Sequence, residues 1–74
     1  MSKTIFSKDH KILIAKLIKA REDASLNQVE VAKILNRSQS YVSKIESGQR
    51  RIDIIQLKEL AGVYKKDLDF FIKK

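Results

Sequence analysis

Cysteine, proline and tryptophan are absent from this 74-residue chain, histidine occurs once (His10), and glycine only at Gly48 and Gly62. Each absence removes a class of protein. Without cysteine there is no disulfide framework and no thiol chemistry, and one histidine alone cannot build a zinc finger, so neither metal nor cofactor is expected. Without proline, and with so little glycine, nothing reads as a linker or a repeat, and residues 1–74 are expected to form one domain. No apolar run approaches the roughly 18 residues of a membrane span. The opening MSKTIFSKDH has no apolar core ahead of a cleavage site, so a cytoplasmic protein with no membrane partner is expected. A chain this short buries only about 60% of its unfolded surface, which calls for a simple helical core and leaves no room for a cofactor-sized cleft.

What is abundant is positive charge. Sixteen Lys and Arg against nine Asp and Glu give a net charge of +7, and the pI is near 9.9. The hydrophobic content of 43% is ordinary for a folded chain, so the excess is not that of a disordered tail. A basic folded domain implies a polyanionic partner. The charge is not one block. Lys3, Lys8, Lys11, Lys16, Lys19 and Arg21 outweigh Asp9 at the N-terminal end, and Arg37, Lys44, Arg50 and Arg51 outweigh Glu46 further on. The N-terminal lysines read as a solubilising face, with general attraction to nucleic acid second. Lys73 and Lys74 read as a frayed end, and His10 as surface.

Apolar spacing predicts five short helices. The first runs over about 7–22, capped by Ser7, with Leu13, Leu17 and Ala20 on one face. Asn27 is placed to cap the second, with Glu30 completing a capping box and Val31, Ile34 and Leu35 as the buried stripe. Asn36 then supplies the left-handed residue of a tight turn. Ser38 caps a third helix over about 39–46 that turns only Val42 and Ile45 inward and stops at Gly48. Asp53 and Gln56 open a fourth, in which Ile54, Leu57, Leu60, Ala61 and Tyr64 keep the period. A fifth, over about 67–72, contributes Leu68 and Phe71. Ile12, Ile14 and Ile18 exceed what one face of the first helix needs. With Ile5, Phe6, Phe70 and Ile72 they either cover the C-terminal helix or form a subunit contact.

The second and third helices are joined by only three or four residues, which forces a steep crossing of the kind found in a helix-turn-helix. Val31, Ala32, Leu35, Val42 and Ile45 supply its packing, and the small side chain of Ala32 lets the helices approach. The stretch LNQVEVAKILNRSQSYVSKIESGQR, residues 26–50, closely resembles the phage-repressor and Cro family, the XRE type of bacterial and phage transcriptional regulators. Arg21 is similar to the arginine that closes the family's first helix, and LKELAGVYKKDLDFFI, residues 57–72, resembles its fourth and fifth helices. The fold this resemblance implies is all-α: a compact five-helix lambda-repressor-like domain with the helix-turn-helix over about 28–47. The sequence departs from the family at Asn36, where glycine is common, at Lys65, where glycine or asparagine usually ends the fourth helix, and at Ile18, where the family is polar.

The resemblance also implies roles. Its recognition helix, about 39–46, lies in the major groove of double-stranded DNA. Gln39, Ser40, Ser43 and Lys44 then face base edges, Gln39 suiting adenine N6/N7 and Lys44 guanine O6/N7. Gln28 would hold a backbone phosphate from a helix start. Tyr41 would touch a phosphate or a thymine methyl, and Arg50, Arg51, Arg37 and Ser47 would lie along the backbone. Arg21 and Glu46 would pair across helices and aim the arginine at the backbone. Plainer readings stand beside these: a solvated polar face for the base readers, a mere ion pair for Arg21 and Glu46, a helix start for Gln28, packing for Tyr41.

The resulting expectation is a sequence-specific DNA-binding regulator, bacterial or phage-encoded and nucleoid-associated, acting as a homodimeric repressor on a palindromic operator. Within that class it could equally be the antitoxin of a toxin pair or a restriction-modification controller. A different class is an interaction module that keeps the fold without reading DNA. An enzyme is not expected, since there is no carboxylate pair placed together and no glycine-rich loop.

Overall fold

The computed structural model describes residues 8–73. Five helices follow one another: α1 (Lys8–Asp23), α2 (Gln28–Leu35), α3 (Gln39–Glu46), α4 (Ile54–Tyr64) and α5 (Leu68–Ile72). Among the described residues there is no strand. Lys3, Ile5, Phe6, the Ser7 cap and Lys74 lie outside the described residues.

Local chemistry sets most boundaries. The Asn27 side chain accepts from the Glu30 N–H at 2.8 Å and the Glu30 carboxylate accepts from the Asn27 N–H at 2.8 Å, a closed capping box opening α2. Asp53 and Gln56 repeat it at the start of α4, at 2.8 and 3.0 Å. Ser38 caps α3 and Asp67 caps α5 through their side-chain oxygens. Asn36 turns left-handed at φ 59°, which lets the Arg37 N–H reach the Ala32 carbonyl at 2.8 Å and ends α2. Gly48, at φ 83°, lies one residue beyond the Ser47 cap that closes α3. Lys65 is less usual. It takes φ 58° and closes α4 although it carries a β-carbon, a conformation that costs roughly 1–2 kcal/mol in a non-glycine residue.

The core draws on every helix: Leu17 and Ala20 from α1, Val31 and Ala32 from α2, Tyr41, Val42 and Ile45 from α3, Leu57, Leu60, Ala61 and Tyr64 from α4, and Phe71 from α5. Ala20 and Ala32 are buried, and α3 packs on both α1 and α2. Three expectations need correcting here. Ile34 is 58% exposed, because the buried arc of α2 is centred between Val31 and Ala32, and at about 100° per residue Ile34 stands well round the helix from it. Ile54 is 56% exposed because it precedes the packed part of α4. Tyr41, by contrast, is 8% exposed and joins Val42 and Ile45, so α3 buries a broader face than its two aliphatic residues imply.

At the other end of the molecule α5 lies against α1, with Phe70 and Phe71 meeting edge to face at 5.1 Å. Ile14 and Ile18 are half-buried, while Ile12 and Ile72 stay exposed along a shallow groove they share with Leu13 and Phe71. His10 is half-buried rather than surface. Lys16 donates from Nζ to the carbonyl of Lys73, the residue that follows α5, so the two sides of this groove are joined. Among the described residues no helix is long and apolar enough to cross a membrane.

Candidate nucleic-acid interface

The two faces of α3 are chemically opposite. Tyr41, Val42 and Ile45 point into the core, whereas Gln39, Ser40 and Lys44 are exposed and Ser43 is half-buried. Positions 39, 40, 43 and 44 fall within one outward arc of an α-helix, the spacing needed for several side chains to meet one groove. The capping of α3 by Ser38 leaves this first turn well defined, with Gln39 at its start.

Behind Gln39 runs a continuous set of hydrogen bonds. Arg21, on the last turn of α1, donates from Nε to Glu46 Oε2 at 2.7 Å and from Nη2 to Glu46 Oε1 at 3.2 Å. Its Nη1 donates to the Leu26 carbonyl at 2.9 Å, so one guanidinium fixes α1, the following turn and the end of α3. Glu46 Oε1 also accepts from Gln28 Nε2 at 3.0 Å, and Gln28 Oε1 accepts from Gln39 Nε2 at 3.2 Å. The side chains of Arg21 and Glu46 are only 16% and 7% exposed. The hydrogen bond from Arg21 to Glu46 raises the arginine's pKa against the opposing effect of burial. Tyr64 lies close enough to feel both charges. Its hydroxyl is pushed up to about 12, first by burial and then by the negative charge of Glu46, with Arg21 opposing.

A second grouping forms on the other flank of α3. The Arg37 guanidinium lies 4.9 Å and that of Arg50 5.0 Å from the centre of the Tyr41 ring, both as cation–π contacts. The Tyr41 hydroxyl is buried and makes no hydrogen bond. Of the two readings left open for this residue, packing is the one the fold carries: the side chain is buried, and its ring serves as a shelf for two arginines that arrive from opposite ends of α3. Arg51 is exposed beside Arg50. The Ser47 hydroxyl donates to the Lys44 carbonyl at 3.2 Å, satisfying the end of its own helix.

Arg21, Gln28, Gln39 and Glu46 are thus brought into one network, and Arg37, Tyr41 and Arg50 into another, while Ser40, Lys44 and Arg51 stand exposed. Two features were beyond sequence reasoning: the Leu26 carbonyl as an anchor for Arg21, and the link from Gln28 to Glu46. No local periodicity relates positions 28 and 46, so only the fold brings them together. Among the described residues no group of acidic or histidine side chains is clustered to hold a metal ion. Against known proteins, the family model described as Helix-turn-helix matches residues 17–71. No curated protein matches the chain.

Proposed function

Since the chain belongs to the XRE-type helix-turn-helix family of DNA-binding transcription regulators, we propose that it reads a specific operator with α3 and represses by occluding a promoter. The observation that carries this is the outward face of α3, where Gln39, Ser40, Ser43 and Lys44 share one arc and Gln39 is held from behind by Gln28. Gln39 reads adenine, Lys44 donates to guanine, and the two serines adapt to neighbouring bases. Gln28, Arg37, Arg50 and Arg51 face the sugar-phosphate backbone. Tyr41 contributes by holding Arg37 and Arg50, and Arg21 and Ser47 by securing the two ends of the framework. The protein acts in the cytoplasm on chromosomal or phage DNA.

One α3 spans too few base pairs for useful specificity, so a homodimer on a palindrome is the working unit, with half-sites about 34–36 Å apart. The groove formed by Ile12, Leu13, Phe71 and Ile72 supports this, since it leaves apolar surface for a second copy.

Selection from a random duplex pool tests the reading directly. A palindromic consensus is expected, and recovery of no consensus would overturn it. Gln39→Ala or Lys44→Ala should relax preference at one base pair per half-site, by about 1–3 kcal/mol. Arg50→Ala should weaken every sequence alike and reduce the salt slope by about one.

A further inference from the structure

We propose that Glu46, a residue facing the protein and not the groove, determines which base Gln39 reads, by fixing the direction of the Gln28 amide. The inference rests on the assignment of Gln39 as a reader of adenine, and adds to it a positioning residue and the physical reason for that base.

The argument is one of donor and acceptor bookkeeping along the network. Arg21 carries only donors, and it commits Nε and Nη2 to the two oxygens of Glu46. The carboxylate of Glu46 has only acceptors, so the end of Gln28 that meets it must be the NH2 group, as found at 3.0 Å. Gln28 therefore turns its oxygen toward Gln39. That oxygen can only accept, so Gln39 must give it an N–H, as found at 3.2 Å. What remains on the exposed end of Gln39 is one N–H and the carbonyl oxygen, a donor beside an acceptor. Adenine presents the complement in the major groove, an N7 acceptor and an N6 donor, whereas guanine presents two acceptors, N7 and O6. The direction imposed by Arg21 is thus passed through three side chains to the base.

The same bookkeeping predicts a reversal. In Glu46→Gln the side chain keeps its shape but gains an NH2 group. Arg21, which can only donate, captures the oxygen of the new amide, and its NH2 faces Gln28. Gln28 answers with its oxygen, its own NH2 turns to Gln39, and the Gln39 oxygen is drawn inward. Two N–H groups then face the groove, the pattern that suits guanine.

The test measures the full chain binding duplexes that carry each of the four base pairs at the position where Gln39→Ala abolishes preference. Wild-type protein is expected to favour adenine over guanine by roughly tenfold or more. Glu46→Gln is expected to bring that ratio to unity or invert it, with the ratios at the Lys44-dependent base pair unchanged. A mere loss of helix-to-helix support lowers affinity for all duplexes together and leaves the ratio alone. A folded Glu46→Gln protein that keeps the wild-type adenine preference overturns the proposal. Should that variant fail to fold or bind, Gln28→Met breaks the network with an apolar side chain of similar length. The adenine preference is then expected to fall toward unity, and its persistence overturns the proposal. A Gln39→Ala protein with wild-type ratios at every base pair overturns the assignment of Gln39 itself, and the relay with it.

Discussion

Two charged clusters join helices in this molecule, and they are built on opposite terms. In the inner one, Arg21 spreads three donors over Glu46 and the Leu26 carbonyl, and both charged side chains are largely shielded from water. In the outer one, Asp23 at the end of α1 takes Lys19 at 3.2 Å, one turn earlier, and Lys66 at 3.4 Å from the turn between α4 and α5. There the Lys19 side chain is 67% exposed. The outer cluster has a third charge, a second cation, yet each contact is single and more open to water. Geometry and shielding, more than the number of charges, separate a contact that orders neighbouring side chains from one that decorates a surface.

Breaking the inner cluster should have the largest effect. Arg21→Met leaves the shielded Glu46 carboxylate with only the Gln28 amide, and should destabilise the fold by about 3 kcal/mol. For a domain of this size that is a fall on the order of 15 °C in Tm, read by thermal denaturation. A loss no larger than that from cutting the outer cluster would erase the distinction.

The next effect appears only at alkaline pH. The folded state holds the Tyr64 hydroxyl neutral, its pKa pushed up to about 12 by burial and then by Glu46. Stability from this group is therefore complete below its ordinary value near 10 and is lost as pH rises from there through about 12. Chemical denaturation of Tyr64→Phe and wild type across that window should show a smaller alkaline loss for the variant. Parallel curves would mean that the fold does not hold the Tyr64 hydroxyl neutral across that window.

On the other flank of α3, Tyr41→Phe removes a buried hydroxyl that makes no hydrogen bond and keeps the ring beneath Arg37 and Arg50. A gain of about 1 kcal/mol in stability with unchanged DNA affinity is expected, since a buried unsatisfied polar group is a cost. Weaker binding to all duplexes would show instead that the hydroxyl takes part.

The smallest change should follow Asp23→Asn. The hydrogen bond from Lys19, helped by Lys66, holds the Asp23 carboxyl below its ordinary value, so its contribution is present above that value and fades as pH falls through the lowered one. At neutral pH the melting temperature should fall only slightly below that of wild type, and that small difference should shrink with added salt and vanish as pH falls through the lowered value.

Legibility divides along the same line as the two clusters. Asn27 with Glu30 and Asp53 with Gln56 lie three residues apart, so their capping boxes could be read directly, as could Asn36 and Gly48 as left-handed stops. The faces of the helices were harder. Ile34 and Ile54 fit a helical period, but which arc of a short helix is buried depends on where its neighbours lie. Lys65 gives no local sign of a left-handed conformation, and it adopts one because the chain must turn from α4 into α5. Of the interface, the outward residues of α3 were legible by spacing, while the packed state of Tyr41 was left open between two readings.

By itself the sequence determined the all-helical architecture, the limits of α2 and α3, the start of α4, and the polar outward face of α3, because caps and periodicity act over three or four residues. Only the tertiary structure decided that Arg21, Glu46, Gln28 and Gln39 form one directed chain of hydrogen bonds and that Arg37 and Arg50 share the Tyr41 ring. The hydrogen-bonded links span up to 25 positions. Hydrogen-bond direction is a property of side chains in contact, and contact across such separations exists only once the helices have packed.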